Sequence, residues 1–174
     1  MNSQSISVQL PPAVAELISD SALANYGKLA TGDDFSRSSK DVKTRLASLT
    51  PGCLFAAPVS NIGMADGCLS GLWLLHGFLD ESHEISQSLK TSEGSFWHGI
   101  MHRIESDFWN SKYWYRQVGS HQVIDDMTAR NSEYPNGFVD ACEHANESGG
   151  DADVAGDAIA EWICLFEHCY RNAS

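Results

Sequence analysis

The chain has 174 residues, of which 43% are hydrophobic and 10% are aromatic, which is enough apolar material for one globular domain with a core of its own. Its net charge is −12, and this argues against a nucleic-acid-binding protein, because binding to phosphates needs a basic surface. We therefore expect a single domain over residues 1–174 and no nucleic-acid partner.

Apolar residues recur at helical spacing along nearly the whole chain, and this pattern predicts an all-α fold of about six to eight helices. The one irregular stretch is 53–63, where Phe55 and Val59 are compatible with a short strand, although no partner strand is evident. Helices are predicted, in chain order, over residues 11–31, 41–49, 64–89, 95–109, 110–118, 121–129, 136–145 and 152–170.

The centre of the fold is predicted to be a helical hairpin, in which residues 64–89 and 95–109 pack antiparallel on either side of a short polar connection. The second of these helices carries one clear apolar stripe that faces the core. Its members lie within about 40 degrees of one direction around the helix axis and are Trp97, Met101, Ile104 and Phe108.

A second stripe lies beside the first on the same helix. His98, His102, Glu105 and Trp109 fall about 80 to 140 degrees around the axis from Trp97. They are on the shoulder of the core stripe, where side chains can line a cleft between two helices. Two histidines four residues apart project to the same side of a helix and can bind one metal ion.

The preceding helix carries two histidines that share a face with leucines, so both are predicted to point inward. In an antiparallel hairpin His83 lies level with His98, and His76 lies level with Glu105. His76 and His83 are about 10.5 Å apart along the axis, so one ion cannot take both. The predicted ligand sets are His83, His98 and His102, which we prefer because three imidazoles suit a transition metal, or His76, His102 and Glu105.

Three interpretations of these histidines remain open at the level of sequence. They bind a divalent transition metal, zinc or iron, with Glu105 as base or as a group that orients an imidazole. Alternatively they perform acid–base or ligand-binding work without a metal, or they are structural. The predicted catalytic groups are Glu105 and His76.

A polar and aromatic segment follows the histidines, and such a segment is typical of a pocket for a small polar or anionic molecule. Arginine can bind a carboxylate or phosphate with two hydrogen bonds. The alternative is that the charges form surface ion pairs and that Trp114 and Tyr115 belong to the core. The predicted substrate-binding residues are Arg103, Trp109, Asn110, Lys112, Tyr113 and Arg116.

Two segments of this region carry a resemblance. They read LHGFLDESH over residues 75–83 and WHGIMHR over residues 97–103, the second continuing through Glu105, Asp107, Asn110 and the KYW of residues 112–114. This pattern resembles the signature of a group of uncharacterised microbial proteins. The resemblance covers roughly residues 70–120 and groups His76, His83, His98 and His102, but it implies no activity.

The cysteines and the N-terminus indicate the compartment. The five cysteines contain no CxxC pair, so we expect reduced thiols rather than a disulfide framework. No basic segment followed by an apolar run opens the chain, and the most apolar stretch, 69–79, is too short and too polar to span a membrane. These features predict a cytoplasmic protein without a membrane partner.

The first functional hypothesis is an enzyme, a hydrolase or lyase that acts on a small polar or anionic substrate and depends on a metal. The alternative is a non-catalytic protein, which either binds a small molecule in the same pocket or uses its acidic C-terminal part to meet a basic partner. Residues 125–174 hold eleven acidic and two basic side chains, but a solvated acidic face explains that balance equally well.

Overall fold

A computed structural model of the protein describes residues 6–33 and 38–174. Within these residues the fold is all-α, as predicted, with ten α-helices, one short 3-10 helix at Pro51–Cys53 and no β-strand. The helices are α1 (Pro12–Ala15), α2 (Asp20–Ala30), α3 (Lys40–Ala47), α4 (Ile62–Leu75), α5 (Leu79–Ser88), α6 (Ser92–Ile104), α7 (Phe108–Val118), α8 (Gln122–Arg130), α9 (Asn136–Ser148) and α10 (Ala152–Ala173).

The strand considered at Phe55 and Val59 does not form. Phe55 instead stacks on Tyr170 of α10, with the ring centroids 4.6 Å apart. Without a neighbouring strand the backbone of an isolated extended segment has no ladder of hydrogen bonds to stabilise it.

Helix α6 lies at the centre and is buried on nearly every side. It packs against α5 and α7 along its length and also contacts α2 and α4, while α10 crosses α2, α4, α8 and α9. The buried apolar side chains form one continuous core between these helices. None of the described helices combines the length and the apolar character that crossing a bilayer requires.

The long helix predicted over 64–89 is broken in two. Gly77 has a φ of 75°, its N–H donates to the Leu74 carbonyl, and the N–H of Phe78 donates to the Trp73 carbonyl, both at 3.0 Å. This pair of bonds is the Schellman ending of a helix, and the edge-to-face contact of Phe78 with Trp73 completes it. The hairpin partner of α6 is therefore the short helix α5.

A second break ends α6 at Ile104, five residues before the predicted end. Ser106 has a φ of 67°, and the N–H of Asp107 donates to the His102 carbonyl at 2.9 Å. Asp107 then caps α7 by accepting a hydrogen bond from the N–H of Asn110 at 3.2 Å. The described helices exceed the predicted six to eight because the segments 64–89 and 11–31 each form two helices, whereas the break at Ser106 moves a predicted boundary.

A buried ion pair joins α6 to α10. Arg103 is 1% exposed, and its Nη1 lies 3.1 Å from Oε1 of Glu161, while its Nη2 also donates to that carboxylate. The Tyr115 and Tyr134 hydroxyls donate to the same oxygen, Tyr134 at 2.7 Å. The Phe138 ring covers the guanidinium, with 4.6 Å between Cζ and the ring centroid. Both charges are therefore compensated within the core.

We expect the Glu161→Gln substitution to lower the free energy of unfolding by roughly 3–5 kcal/mol, because it leaves the Arg103 charge buried without its counterion. Urea denaturation followed by circular dichroism measures this. The exposed residue Glu147 provides the matched control, since Glu147→Gln should change stability by no more than about 0.5 kcal/mol. Equal stabilities of the two variants would contradict the assignment.

Candidate metal centre

Three histidines meet where α5 packs against α6. His83 comes from α5, and His98 and His102 lie one turn apart on α6. Ser82, next to His83, is tied to α4 by the Ser70 hydroxyl, which donates to the Ser82 carbonyl at 3.1 Å. These three residues are called the histidine cluster below.

The cluster nitrogens are close enough to share one ion. Nε2 of His83 lies 3.1 Å from Nε2 of His98, and the three residues can each offer one nitrogen such that all lie within 4.8 Å of one another. With zinc–nitrogen bonds of about 2.0–2.1 Å, two ligands of a tetrahedral ion are about 3.3 Å apart. The His83–His98 separation is therefore close to that of a bound pair.

Glu105 and Asn110 both contact the His102 ring. Its Nδ1 lies 2.6 Å from Oε1 of Glu105, and the side-chain nitrogen of Asn110 lies 3.1 Å from Nε2 and 3.4 Å from Nδ1. We assign the proton to Nδ1, which donates to the carboxylate, and this leaves a lone pair on Nε2. The carboxylate thus orients the imidazole in the way that acidic partners orient metal-binding histidines.

His98 is the most deeply enclosed member of the cluster. It is 4% exposed and stacks on Trp114 of α7, with ring centroids 4.1 Å apart and planes 13° apart. Its Nδ1 is buried and makes no hydrogen bond within the described part of the chain. Burial, followed by the neighbouring His102 and His83, lowers the pKa of His98 to about 4. The ring is therefore neutral near pH 7, which a metal ligand has to be.

A second set of possible ligands shares His102 but is weaker. Oδ2 of Asp107 lies 3.9 Å from Nδ1 of His102, on the side of Glu105. Both carboxylates are exposed, and Asp107 already caps α7. These acids surround the histidine cluster rather than forming a separate centre.

His76 does not join the cluster, so the predicted set of His76, His102 and Glu105 is wrong. Its Nε2 lies 3.0 Å from the Leu17 carbonyl, and its Nδ1 lies 2.8 Å from the Ser38 hydroxyl. The cause is the end of α4, which the sequence analysis did not anticipate. The chain turns at Gly77, and His76 lies against the residues that follow α1 and those that precede α3. Both ring nitrogens have partners within the protein there, away from the histidine cluster.

Arg103 also lies outside the histidine cluster. The sequence predicted a substrate-binding arginine, but its guanidinium is enclosed in the core with Glu161. Lys112 pairs with Asp140 of α9 and projects about 160 degrees around α7 from Trp114, the ring that touches His98. Neither side chain lies beside the histidine cluster.

The remaining predicted residues also lie on α7, where Arg116 projects as far around the helix from Trp114 as Lys112 does. Asn110 contacts His102 directly. Trp109 and Tyr113 are 75% and 40% exposed and stack on each other with planes 13° apart, and the Arg116 guanidinium lies 6.0 Å from the Tyr113 ring centroid. The sequence analysis missed the contact of Trp114 with His98.

The donor set determines what the arrangement can do chemically. Three imidazoles that hold a tetrahedral ion would leave its fourth position open for water or substrate. The acidic group beside His102 can also hold or release a proton. No family model, curated protein or solved structure matches this chain.

We expect His98 of chelator-treated protein to titrate near pH 4 rather than at its ordinary pKa of 6.5. Nuclear magnetic resonance of ring-labelled histidine measures this, and His98→Gln identifies the signal by removing it. Between pH 6.5 and 4 His98 binds a proton in the unfolded chain but not in the folded protein. The free energy of unfolding should therefore fall as the pH falls through this range. A signal that titrates near 6.5 would contradict the enclosed position of His98.

Proposed function

We propose that this protein is a metal-dependent hydrolase or lyase for a small polar or anionic substrate, with a divalent transition metal held by His83, His98 and His102. The single observation behind this proposal is the meeting of three imidazoles from two helices, with the His83 and His98 nitrogens 3.1 Å apart. The same separation would suit a hydrogen bond between two structural histidines, and the zinc titration below distinguishes the two roles.

Zinc is the metal that the donor set favours. Three imidazoles are a common ligand set of catalytic zinc, whereas the typical non-haem iron site uses two histidines and a carboxylate. The nearest carboxylate, Glu105, already binds Nδ1 of His102 at 2.6 Å. It therefore acts on the imidazole rather than on the ion.

Binding through Nε2 of His98 requires a shift of one proton. Since Nδ1 of His98 has no partner, the neutral ring carries its proton on Nε2, beside His83. Zinc binding moves that proton to Nδ1, where a buried N–H without an acceptor costs about 1–3 kcal/mol. Zinc binding to a site of this kind is worth about 10 kcal/mol or more, so the ion outweighs this cost.

Each surrounding residue has a separate task in the proposed reaction. Glu105 would orient the His102 imidazole through Nδ1, and its exposed carboxylate is also a base beside the cluster. Asn110, whose side-chain nitrogen lies 3.1 Å from Nε2 of His102, would offer its amide to a substrate as a hydrogen-bonding group. Zinc supplies a Lewis acid that lowers the pKa of bound water.

The exposed face of α7 is proposed to contact the substrate. Trp109 and Tyr113 offer two stacked rings beside Asn110, and Arg116 adds a positive charge next to Tyr113. Rings combined with one cation suit a small anionic molecule. We also propose a cytoplasmic location, which the five free thiols support because such thiols persist in a reducing compartment.

We expect untagged, chelator-treated protein to bind zinc at the histidine cluster and to hydrolyse p-nitrophenyl acetate or p-nitrophenyl phosphate only after zinc is restored. Isothermal titration calorimetry measures the binding, and absorbance measures the release of p-nitrophenol. His98→Gln and His83→Gln should each lose one equivalent of zinc and the zinc-dependent rate. His144→Gln, on the exposed side of α9, should keep both.

Two results would oppose the proposal. Retention of zinc and of activity in both cluster variants would place the chemistry elsewhere. Zinc binding without zinc-dependent hydrolysis of either ester would indicate a metal-binding protein and would contradict the proposed hydrolase activity.

The carboxylate of Glu105 should matter through His102. We expect Glu105→Ala to weaken zinc binding by about 10- to 100-fold, since loss of a group that orients a ligand imidazole has effects of this size. Calorimetry at fixed pH measures the dissociation constant. The exposed Glu143 gives a control of equal charge change, and an equal loss in Glu143→Ala would show that only net charge matters.

A further inference from the structure

A second group of possible metal ligands lies on another face of α6, and it combines two histidines with one carboxylate. Glu93 belongs to the first turn of α6, His121 precedes α8, and His168 lies on α10. The sequence separates these residues by 28 and 47 positions, and only the fold brings them together. Their ligand atoms all lie within 4.8 Å of one another.

The spacing within this group is wider than that of hydrogen bonds. Nε2 of His121 and Nε2 of His168 lie 3.5 and 3.4 Å from the same Glu93 oxygen, Oε1. An N–H donor normally lies about 2.7–3.2 Å from its acceptor, whereas two ligand atoms of a tetrahedral zinc ion are about 3.3 Å apart. The distances therefore match shared coordination better than direct hydrogen bonding.

An orphaned nitrogen points into the group. His121 is 7% exposed, and its Nε2 makes no hydrogen bond within the described residues. The Phe96 ring lies edge-on to the imidazole, with centroids 5.5 Å apart, and the His168 ring lies 4.5 Å away. A buried nitrogen that makes no hydrogen bond, with its carboxylate neighbour Glu93 at 3.5 Å, is rare and calls for a ligand or a compensating group.

We propose that Glu93, His121 and His168 form a second zinc site, independent of the histidine cluster. Two imidazoles and one carboxylate are a recognised zinc set that leaves a fourth position for water. Glu93 and His98 lie about 140 degrees apart around α6 and about 7.5 Å apart along it, so the two sites open on different faces of the same helix. His168, which is half-buried, gives the ion a route from solvent.

Zinc at this site is coupled to the start of α8. In the metal-free protein Nδ1 of His121 accepts a hydrogen bond from the N–H of Val123 at 3.1 Å, so its proton lies on Nε2. Zinc binding to Nε2 displaces that proton to Nδ1, which then cannot accept from Val123. When His121 binds the ion, it therefore loses the hydrogen bond that it accepts from the Val123 N–H. The solvent protection of the Val123 amide should fall as a result.

Titration of zinc into untagged, chelator-treated, full-length protein tests this inference. We expect two equivalents in the unchanged protein and one equivalent in His168→Gln or in His121→Asn. Asparagine is a strong N-cap residue, so His121→Asn removes the ligand but keeps an acceptor for Val123. His144→Gln serves as the control for zinc bound by an exposed histidine and should retain two equivalents.

Hydrogen exchange of the Val123 amide gives a second measurement that does not depend on stoichiometry. Zinc should accelerate this exchange in the unchanged protein and in His83→Gln, but not in His168→Gln. Unchanged exchange in all three proteins would overturn the inference, as would two equivalents of zinc in both His168→Gln and His121→Asn.

The two zinc proposals fail separately. A single equivalent that disappears in His98→Gln and persists in His168→Gln supports the histidine cluster and overturns the second site. A single equivalent with the opposite behaviour supports the second site and overturns the proposed function. Absence of zinc binding in the unchanged protein overturns both.

Discussion

The ion pair between Arg103 and Glu161 fixes the rotation of α6 within the fold. Arg103 directly follows His102, so the direction in which its guanidinium points also determines where His98 and His102 face. Glu161 on α10 receives the guanidinium and one hydroxyl from each of two tyrosines. A buried pair of this kind adds little net stability compared with apolar packing, but breaking it is costly. Its effect is therefore to exclude other rotations of α6, in which the histidines would lie elsewhere.

Much of the architecture could be predicted from the sequence, because helical periodicity and the polar connection after α5 are local properties. The antiparallel register placed His83 beside His98, and the structure brings them to 3.1 Å. The failures lie at helix ends. The apolar pattern continues through Gly77 and Ser106, so periodicity alone favoured unbroken helices, but both residues adopt positive φ values and end the helices in Schellman motifs. The first of these endings is what removes His76 from the site.

Long-range partners could not be predicted. Arg103 resembled a ligand-binding group because charged residues usually lie on the surface, and nothing near it in the sequence reveals Glu161 58 positions later. Glu161 itself appeared to be one of many acids in the C-terminal part. Glu93 and His168 were hidden in the same way, since neither has a neighbour in sequence that marks it as a ligand. Such residues are identified only when the packing of the helices is known.

The polar side chains of α6 show where the core departs from apolar packing. A helix buried on every side is most stable when its inward residues are apolar, and departures from that rule tend to occur at functional sites. The charge of Arg103 is compensated by Glu161 within the protein, although its Nε is buried without a hydrogen bond. His98 and Glu93 instead belong to two groups of three side chains, and within each group the possible ligand atoms all lie within 4.8 Å of one another. This convergence of ligand atoms, rather than the unpaired nitrogens, is why we propose an ion on each of the two faces of α6.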